Sequence, residues 1–231
     1  MKREILSNLL SWKQSTDRKP LLLQGARQTG KTYILKELGK THYTNLHYFN
    51  FETEPLLHSF FEMDLNPSRI IESLSLFRKT SINADSDLIF FDEIQFSNNA
   101  LNALKYFCED APQYHIVAAG SLLGVKLTQP RSFPVGKVSI LTLYPMSFRE
   151  YLDACGDTAY INYLESLNSF NQIPIAFHEA LIQRLKEYYF IGGMPEVVKN
   201  FLQNRNFKIA REIQDSICKV YLYDFAKHAI P

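Results

Sequence analysis

One short segment limits the possible folds of this chain more than any other part of the sequence. Residues 25–32 are GARQTGKT, with glycine at the first and sixth positions and Lys31-Thr32 at the end. The apolar run PLLLQ comes directly before this segment, and residues 33–38 begin a helical pattern directly after it. A strand that enters a helix through a glycine-rich loop of this length is typical of an α/β fold with a parallel sheet.

The spacing of this loop, GxxxxGK[ST], predicts that it binds phosphate groups. Gly25 and Gly30 let the backbone curl so that successive N–H groups face an anion, and the following helix directs its positive end there. We expect Lys31 to reach the β- and γ-phosphates and the Thr32 hydroxyl to ligate Mg²⁺. The alternative, an incidental glycine-rich turn, is disfavoured by the correct flanks. The predicted nucleotide contacts are Gly25, Ala26, Arg27, Gln28, Thr29, Gly30, Lys31, Thr32 and Tyr33.

Two adjacent carboxylates end a uniformly apolar strand, LIFF, at residues 88–91. In a protein with a phosphate loop, an Asp at this point helps to hold Mg²⁺, which predicts that role for Asp92. Glu93 would polarise a water molecule aimed at the γ-phosphate. The pair favours hydrolysis over transfer to a small acceptor. The alternative is an acid-rich surface turn, like the nearby Asp85 and Asp87.

The wider pattern predicts two kinds of architecture along the chain. Apolar strands at residues 20–24, 46–51, 88–91, 115–119 and 138–143 alternate with helices, which indicates a parallel sheet with helices on both faces. After Pro145 only helical patterns follow, at residues 148–154, 160–167, 177–190, 195–202 and 207–225. We expect an α/β domain over residues 1–145, a helical lid domain over 146–206, and the start of a truncated C-terminal region over 207–231.

Composition excludes several classes of protein. The chain has 231 residues, 46% of them hydrophobic, which is enough for a core without disulfides or metals. A net charge of +1 argues against a protein that coats nucleic acid, although the first 50 residues are locally basic. Three widely spaced cysteines fit a reducing cytosol. No apolar run approaches the roughly 18 residues of a membrane span, so we expect a cytoplasmic protein with no membrane partner.

Further candidates follow the fourth predicted strand. Ser121 comes at its end, where it would hydrogen-bond the γ-phosphate or the attacking water, or cap a following helix. Lys126, Arg131 and Lys137 follow in a proline-containing segment. Any of these three cations would offset charge at the γ-phosphate, from the same chain or a neighbour. The alternative for each is a solvated basic loop.

Five segments together carry a family resemblance: GARQTGKT, LIFFDEIQ, VAAGSLLG, the stretch SFPVGKVSILTLYPMSFREYL, and GGMPEVV. In this order they resemble the prokaryotic AAA-domain ATPases in which an N-terminal ATPase precedes a C-terminal domain of unknown function. The resemblance implies a P-loop NTPase of the additional-strand, catalytic-glutamate type. Its five-stranded parallel sheet would have the order 5-1-4-3-2, followed by a smaller all-helical lid.

The same resemblance implies roles for individual residues. Mg²⁺ would be held through Thr32 and Asp92, with a catalytic role for Glu93 and a sensor role for Ser121. Related ATPases touch adenine with a Gly-x-Pro turn, which suggests Pro195; the alternative is an ordinary interhelical turn.

Two departures from the family pattern matter. Gly136-Lys137 stands where members often have Gly-Arg, and Lys lacks the planar fork of Arg. This weakens an arginine-finger role there and leaves Arg131 as a rival. Members usually continue further, so the resemblance implies that the chain is the N-terminal ATPase portion.

The sequence leaves three possible functions open. The first is Mg-dependent hydrolysis of ATP by a motor or switch, and the second is a slowly hydrolysing interaction module that holds ATP or ADP, with DNA association left open. The third, a small-molecule kinase, is disfavoured by the Asp-Glu pair and the helical C-terminal half. Besides the nucleotide, we expect a protein partner or self-association through the helical region; nucleic acid has no specific support.

Overall fold

The computed structural model describes residues 1–121, 136–168 and 172–228, without the side chains of residues 224 and 226–228. The first part alternates strands and helices. These elements are α1 (Ile5–Gln14), β1 (Leu21–Gly25), α2 (Lys31–His42), β2 (Asn45–Asn50), α3 (Pro67–Arg78), β3 (Asp87–Asp92), α4 (Asn98–Asp110), β4 (His115–Ser121) and β5 (Ser139–Thr142). Two 3₁₀ turns, Pro55–Phe61 and Ile94–Phe96, complete this part.

Within the described residues, the five strands form one parallel sheet in the order β2-β3-β4-β1-β5. This confirms the order 5-1-4-3-2. Because parallel strands end at the same edge, the carboxyl ends of β1, β3 and β4 share one edge of the sheet. Ligands of open α/β sheets bind at this edge.

The three central strands, β1, β3 and β4, are buried on both faces, as their apolar runs predict. Alternate strand residues point to opposite faces and meet different helices. One face carries Leu22, Ile89, Phe91, Ile116 and Ala118 in a cluster with Ile70, Leu74, Leu101, Leu104 and Phe107 of α3 and α4. The other carries Leu21, Leu23, Leu88, Phe90 and Val117 in a cluster with Leu9, Trp12, Ile34, Leu35 and Leu38 of α1 and α2.

Helices make up the described chain from residue 148 onward, apart from their connections. They are α5 (Phe148–Cys155), α6 (Thr158–Ser166), α7 (Ile175–Ile191), α8 (Pro195–Asn204) and α9 (Phe207–His228). A buried cluster that includes Met146, Tyr151, Ile191, Val198 and Phe201 packs most of them together. Although α9 is 22 residues long, no helix in the described ranges is long and apolar enough to cross a membrane.

The chain divides into two compact units. One comprises Ile5–Ala26 and Gly30–Leu143, and contains the sheet. The other comprises Met1–Glu4, Arg27–Thr29 and Tyr144–Pro231. Three residues of the predicted phosphate loop therefore belong to the second unit, which sequence patterns alone do not indicate. The predicted division at residues 145 and 206 stays a prediction about domains.

One helical prediction needs correction in detail. The spacing over residues 54–79 predicts helix with a break at Asn66-Pro67-Ser68, and α3 does begin at Pro67 behind an Asn66 cap. The part before the break is instead a 3₁₀ turn of seven residues with Pro55 at its start. Glu54, which precedes this turn, makes no side-chain cap hydrogen bond to it, whereas the Asn66 side chain caps α3.

Replacing Gly193 with alanine should destabilise the compact unit that contains Tyr144–Pro231 by about 2 kcal/mol or more. A Cβ atom on Gly193 would lie 2.2 Å from the carbonyl oxygen of Met146, whose N–H donates to the Gly193 carbonyl at 2.6 Å. Backbone atoms cannot move aside as a flexible side chain does. Thermal unfolding checks this against Gly156→Ala, where the new Cβ meets open space at φ +81° and costs about 1–2 kcal/mol. Equal losses for the two variants would contradict the steric argument.

Asp87 lies buried at the amino end of β3 and accepts four hydrogen bonds. The donors are the Asn83 amide N–H at 3.0 Å, the Ser86 hydroxyl at 2.9 Å, and Asn45 Nδ2 and His47 Nε2 at 3.0 Å each. Burial opposes ionisation, but these hydrogen bonds outweigh it and lower the pKa of Asp87 to about 2. A depressed pKa stabilises the fold where the carboxylate is ionised in both the folded and unfolded states.

We therefore expect the free energy of unfolding to fall as the pH drops from about 4 to about 2. Asp87→Asn should remove this part of the pH dependence, because an amide does not titrate, and should lower stability near neutral pH. Chemical denaturation at several pH values measures both effects, with the exposed Asp85→Asn as control. If the free energy of unfolding of Asp87→Asn fell as steeply with decreasing pH as that of the parent, other carboxylates would have to cause the fall.

Candidate nucleotide site

The glycine-rich loop leaves β1 at Gly25 and enters α2 at Lys31. Its backbone takes left-handed angles twice, at Gln28 (φ 63°) and Gly30 (φ 96°). Only Gly30 takes this conformation without strain. A helix leaves its first N–H groups without helical partners, and Gly30 has no side chain to cap those of α2. The loop and the start of α2 thus present the backbone N–H groups that an anion binds.

Lys31 already lies within the loop. Its side chain is buried, and Nζ donates to the carbonyl oxygens of Gly25 at 3.0 Å and Ala26 at 2.8 Å. A buried ammonium group is stable only where carbonyl or anionic oxygens surround it. The loop therefore holds a positive charge beside its backbone N–H groups, as a phosphate-binding loop requires.

Asp92 is the last residue of β3, and one of its carboxylate oxygens accepts hydrogen bonds from two hydroxyl groups. Thr32 Oγ1 and Tyr48 Oη each donate to Asp92 Oδ2 at 2.9 Å. Tyr48 lies on the adjacent strand β2, and its hydroxyl also accepts from Asn50 Nδ2 at 3.1 Å. The structure thus brings together the two predicted metal ligands, Thr32 and Asp92, and adds a tyrosine that sequence reasoning missed.

The electrostatics of this cluster suit a cation. Burial raises the pKa of Asp92, the Glu93 carboxylate adds to that rise, and the hydrogen bonds from Tyr48 and Thr32 oppose it. Burial also raises the pKa of Tyr48 to about 12, so its hydroxyl stays a donor. A hydroxyl and a carboxylate oxygen are ligands that Mg²⁺ accepts. The described residues contain no group of three or more His, Cys, Asp or Glu able to hold a metal, so phosphate oxygens and water would supply the other ligands.

Glu93 follows in a left-handed conformation, with φ 51° and ψ 42°, and precedes the 3₁₀ turn. This angle is unusual for a residue with a side chain and is typical of functional positions. Gln95, a buried residue, donates its side-chain amide to the Glu93 carboxylate. The carboxylate is therefore held by a neighbour two residues along the chain. Sequence reasoning also missed this contact.

The remaining candidates are spread over the chain. Ser121 ends β4 opposite Gly25 of β1, so it lies beside the start of the loop. Lys137 precedes β5 at the amino end of the sheet and forms an ion pair with Glu109 at 2.9 Å. Five residues of β1, roughly 15 Å, separate that end from the loop. The structure therefore does not bring Lys137 to its own chain's loop. Arg131 and Lys126 lie outside the described residues.

Tyr33 and Pro195 have clear positions but no contact that tests their predicted roles. Tyr33 is exposed in the first turn of α2. Pro195 is the first residue of α8. Its neighbour Glu196 lines, together with Gln28 of the loop and residues of α9, a groove of about 320 Å³. The predicted adenine contact of Pro195 stays a prediction.

Two family profiles match the sequence. One, described as AAA domain, matches residues 17–152, more than half of the chain, and covers all five strands. The other, described as Domain of unknown function (DUF8612), matches residues 182–230. No curated protein matches the chain.

Three solved structures match the chain weakly. Drosophila ORC bound to DNA is 16% identical over 92% of this chain and 66% of that chain, with a TM-score of 0.46. Pif1 helicase from Candida albicans is 15% identical over 68% and 44%, with a TM-score of 0.40. C. elegans PCH-2 is 15% identical over 90% and 56%, with a TM-score of 0.39. The chain spans less than two thirds of the length of each, and similarity of this degree carries no argument about function.

Proposed function

The chain belongs to the AAA domain family, and from this premise we propose that it binds ATP with Mg²⁺, hydrolyses the γ-phosphate and works as a nucleotide-driven switch or motor. The fold is that of an AAA-type P-loop nucleoside triphosphatase. The hydrolysis of ATP in particular, and the use made of it, belong to this proposal. So does a partner, either another protein or a second copy of the chain, that contacts the helical region.

The contact between Thr32 and Asp92 carries the proposal. These residues come from different segments, 60 positions apart, and meet at 2.9 Å at the edge where parallel strands end. Mg²⁺, when bound, neutralises charge on the β- and γ-phosphates. Thr32 and Asp92 would ligate it, while Lys31 turns from the Gly25 and Ala26 carbonyls toward phosphate oxygens. The N–H groups of the loop would hold the same oxygens without rearrangement.

Glu93 is the base in this proposal. Its position one residue after Asp92 places a second carboxylate next to the metal ligand, where it would orient a water molecule and accept its proton. Ser121, opposite Gly25, would hydrogen-bond the γ-phosphate or that water.

A slowly hydrolysing switch is the second candidate, and one observation favours it. Gln95 donates to the Glu93 carboxylate, and a carboxylate held in this way is less free to accept a proton from water. Release of Glu93 would then be the step that starts hydrolysis. In this version the rate of hydrolysis at the same site would set how long the ATP-bound state lasts.

Phosphate release from Mg-ATP by the purified chain tests the proposal, with binding of a fluorescent ADP analogue measured in parallel. Multiple turnovers, lost on addition of a chelator, would support a self-sufficient ATPase. Tight binding with turnover slower than about one per minute would favour the switch, because enzymes typically turn over far faster. If neither ATP nor ADP bound, the proposed function would be wrong.

A further inference from the structure

Two carbonyl groups of the phosphate loop accept hydrogen bonds from side chains far away in sequence. Arg3 Nη1 donates to the Thr29 carbonyl oxygen at 2.7 Å. The Tyr221 hydroxyl of α9 donates to the Arg27 carbonyl oxygen at 2.7 Å. All four residues belong to the same compact unit. The proposed function assigns no role to Arg3 or Tyr221.

These two contacts determine where loop N–H groups point. In a trans peptide unit, the C=O and the next N–H lie in one plane and point in opposite directions, and the described chain has no cis peptide bond. A Thr29 carbonyl held by Arg3 therefore turns the Gly30 N–H to the side away from Arg3. An Arg27 carbonyl held by Tyr221 does the same for the Gln28 N–H. Successive N–H groups that face one side are what binds a phosphate.

Hydrogen bonds to three different residues hold the Arg3 guanidinium in place. Its Nε donates to Glu150 Oε1 at 2.9 Å and its Nη2 to the Tyr144 carbonyl at 2.6 Å. Both charged side chains are more than nine-tenths buried. Glu150 is itself held, since it forms a capping box with Ser147 at the start of α5. A buried ion pair with this many hydrogen bonds keeps one geometry, so the guanidinium is not free to leave Thr29.

Tyr221 lies inside the segment matched by the domain of unknown function, residues 182–230. We propose that Arg3 and Tyr221 are positioning residues that set the shape of the phosphate loop, and that through Tyr221 this C-terminal domain contributes to nucleotide affinity. The part about affinity rests on the proposed function, whereas the part about loop shape does not.

Tyr221→Phe tests the proposal by removing one oxygen atom, and Tyr223→Phe on the same helix, at an exposed side chain, is the matched control. We expect Tyr221→Phe to weaken binding of the fluorescent ADP analogue about three- to tenfold, the effect of one lost hydrogen bond. Hydrogen exchange without nucleotide should become faster at the Gln28 amide. The melting temperature of the ligand-free protein should change little, which separates positioning from general stability.

Arg3→Lys gives an independent test at the other carbonyl. Lysine keeps the charge but cannot serve Thr29, Glu150 and Tyr144 at once, so exchange at the Gly30 amide should rise and ADP affinity should fall by about tenfold or more. Lys2→Arg, at an exposed side chain, is the control.

The outcomes separate the two claims. If the parent chain binds ADP and Tyr221→Phe and Arg3→Lys bind it as tightly as their controls, the inference is wrong and the proposed function stands. If the parent chain binds no nucleotide, the proposed function fails, and exchange at the Gln28 and Gly30 amides still decides whether the two side chains set the loop. Unchanged exchange at both amides would overturn that claim as well.

Discussion

Glu93→Gln should reduce ATP turnover by about a hundredfold or more while leaving the affinity for ATP nearly unchanged. Glutamine keeps the size of the side chain but cannot accept a proton from water. The proposed metal ligands, Thr32 and Asp92, and the cation Lys31 are untouched, so ATP and Mg²⁺ should still bind. The measurement is phosphate release under saturating Mg-ATP, with the dissociation constant determined separately. The result would assign the chemical step to one carboxylate.

Glu62→Gln is a suitable control because this glutamate is exposed and lies beyond the 3₁₀ turn that precedes α3. Its turnover should equal that of the parent chain. Gln95→Ala adds information, since it frees the Glu93 carboxylate from its amide partner; faster turnover would favour the slow-switch version. If Glu93→Gln turned over at the parent rate, another residue would have to activate the water.

The sheet was predictable because its strands are short apolar runs between clear helical patterns. Predicted and observed strand ends differ by at most two residues, as for residues 115–119 against His115–Ser121. The strand order came from the family resemblance, since alternation of strands and helices alone does not determine it. Apolar runs of this kind predict strands well because a strand in the middle of a buried sheet needs apolar side chains on both faces.

Contacts between distant segments could not be predicted from one sequence. Tyr48 reaches Asp92 only because β2 pairs with β3 in the register that places Asn50 opposite Asp92. Arg3 and Glu150 are 147 positions apart, and Arg27 and Tyr221 are 194 apart. A single sequence carries no record of such pairs. Arg3 is one of several basic residues near the start of the chain, and no local pattern distinguishes it from the others.

The position of Lys137, in contrast, could be predicted from a rule about parallel sheets. Ligands bind at the carboxyl ends of parallel strands, and Lys137 lies two residues before the fifth strand, which begins at Ser139. Its place before the strand therefore predicts the amino edge, where the structure has it paired with Glu109. A role at a nucleotide would require the site of another copy of the chain.

Lys31→Ala should weaken binding of ATP and ADP by at least about a hundredfold, and with it abolish measurable phosphate release. The ammonium group donates to the Gly25 and Ala26 carbonyls in the ligand-free loop, and the variant would lose the positive charge that the proposal directs at the phosphate oxygens. Lys40→Ala, an exposed lysine nine residues further along α2, should bind as the parent does. The ligand-free Lys31→Ala protein should also lose some stability, because the Gly25 and Ala26 carbonyls each lose the hydrogen bond from Nζ; thermal unfolding without nucleotide measures that loss. Adding saturating ADP should then raise the melting temperature of the parent and of Lys40→Ala but not that of Lys31→Ala. A comparable rise in all three would mean that the nucleotide binds elsewhere, and the assignment of residues 25–32 as its loop would be wrong.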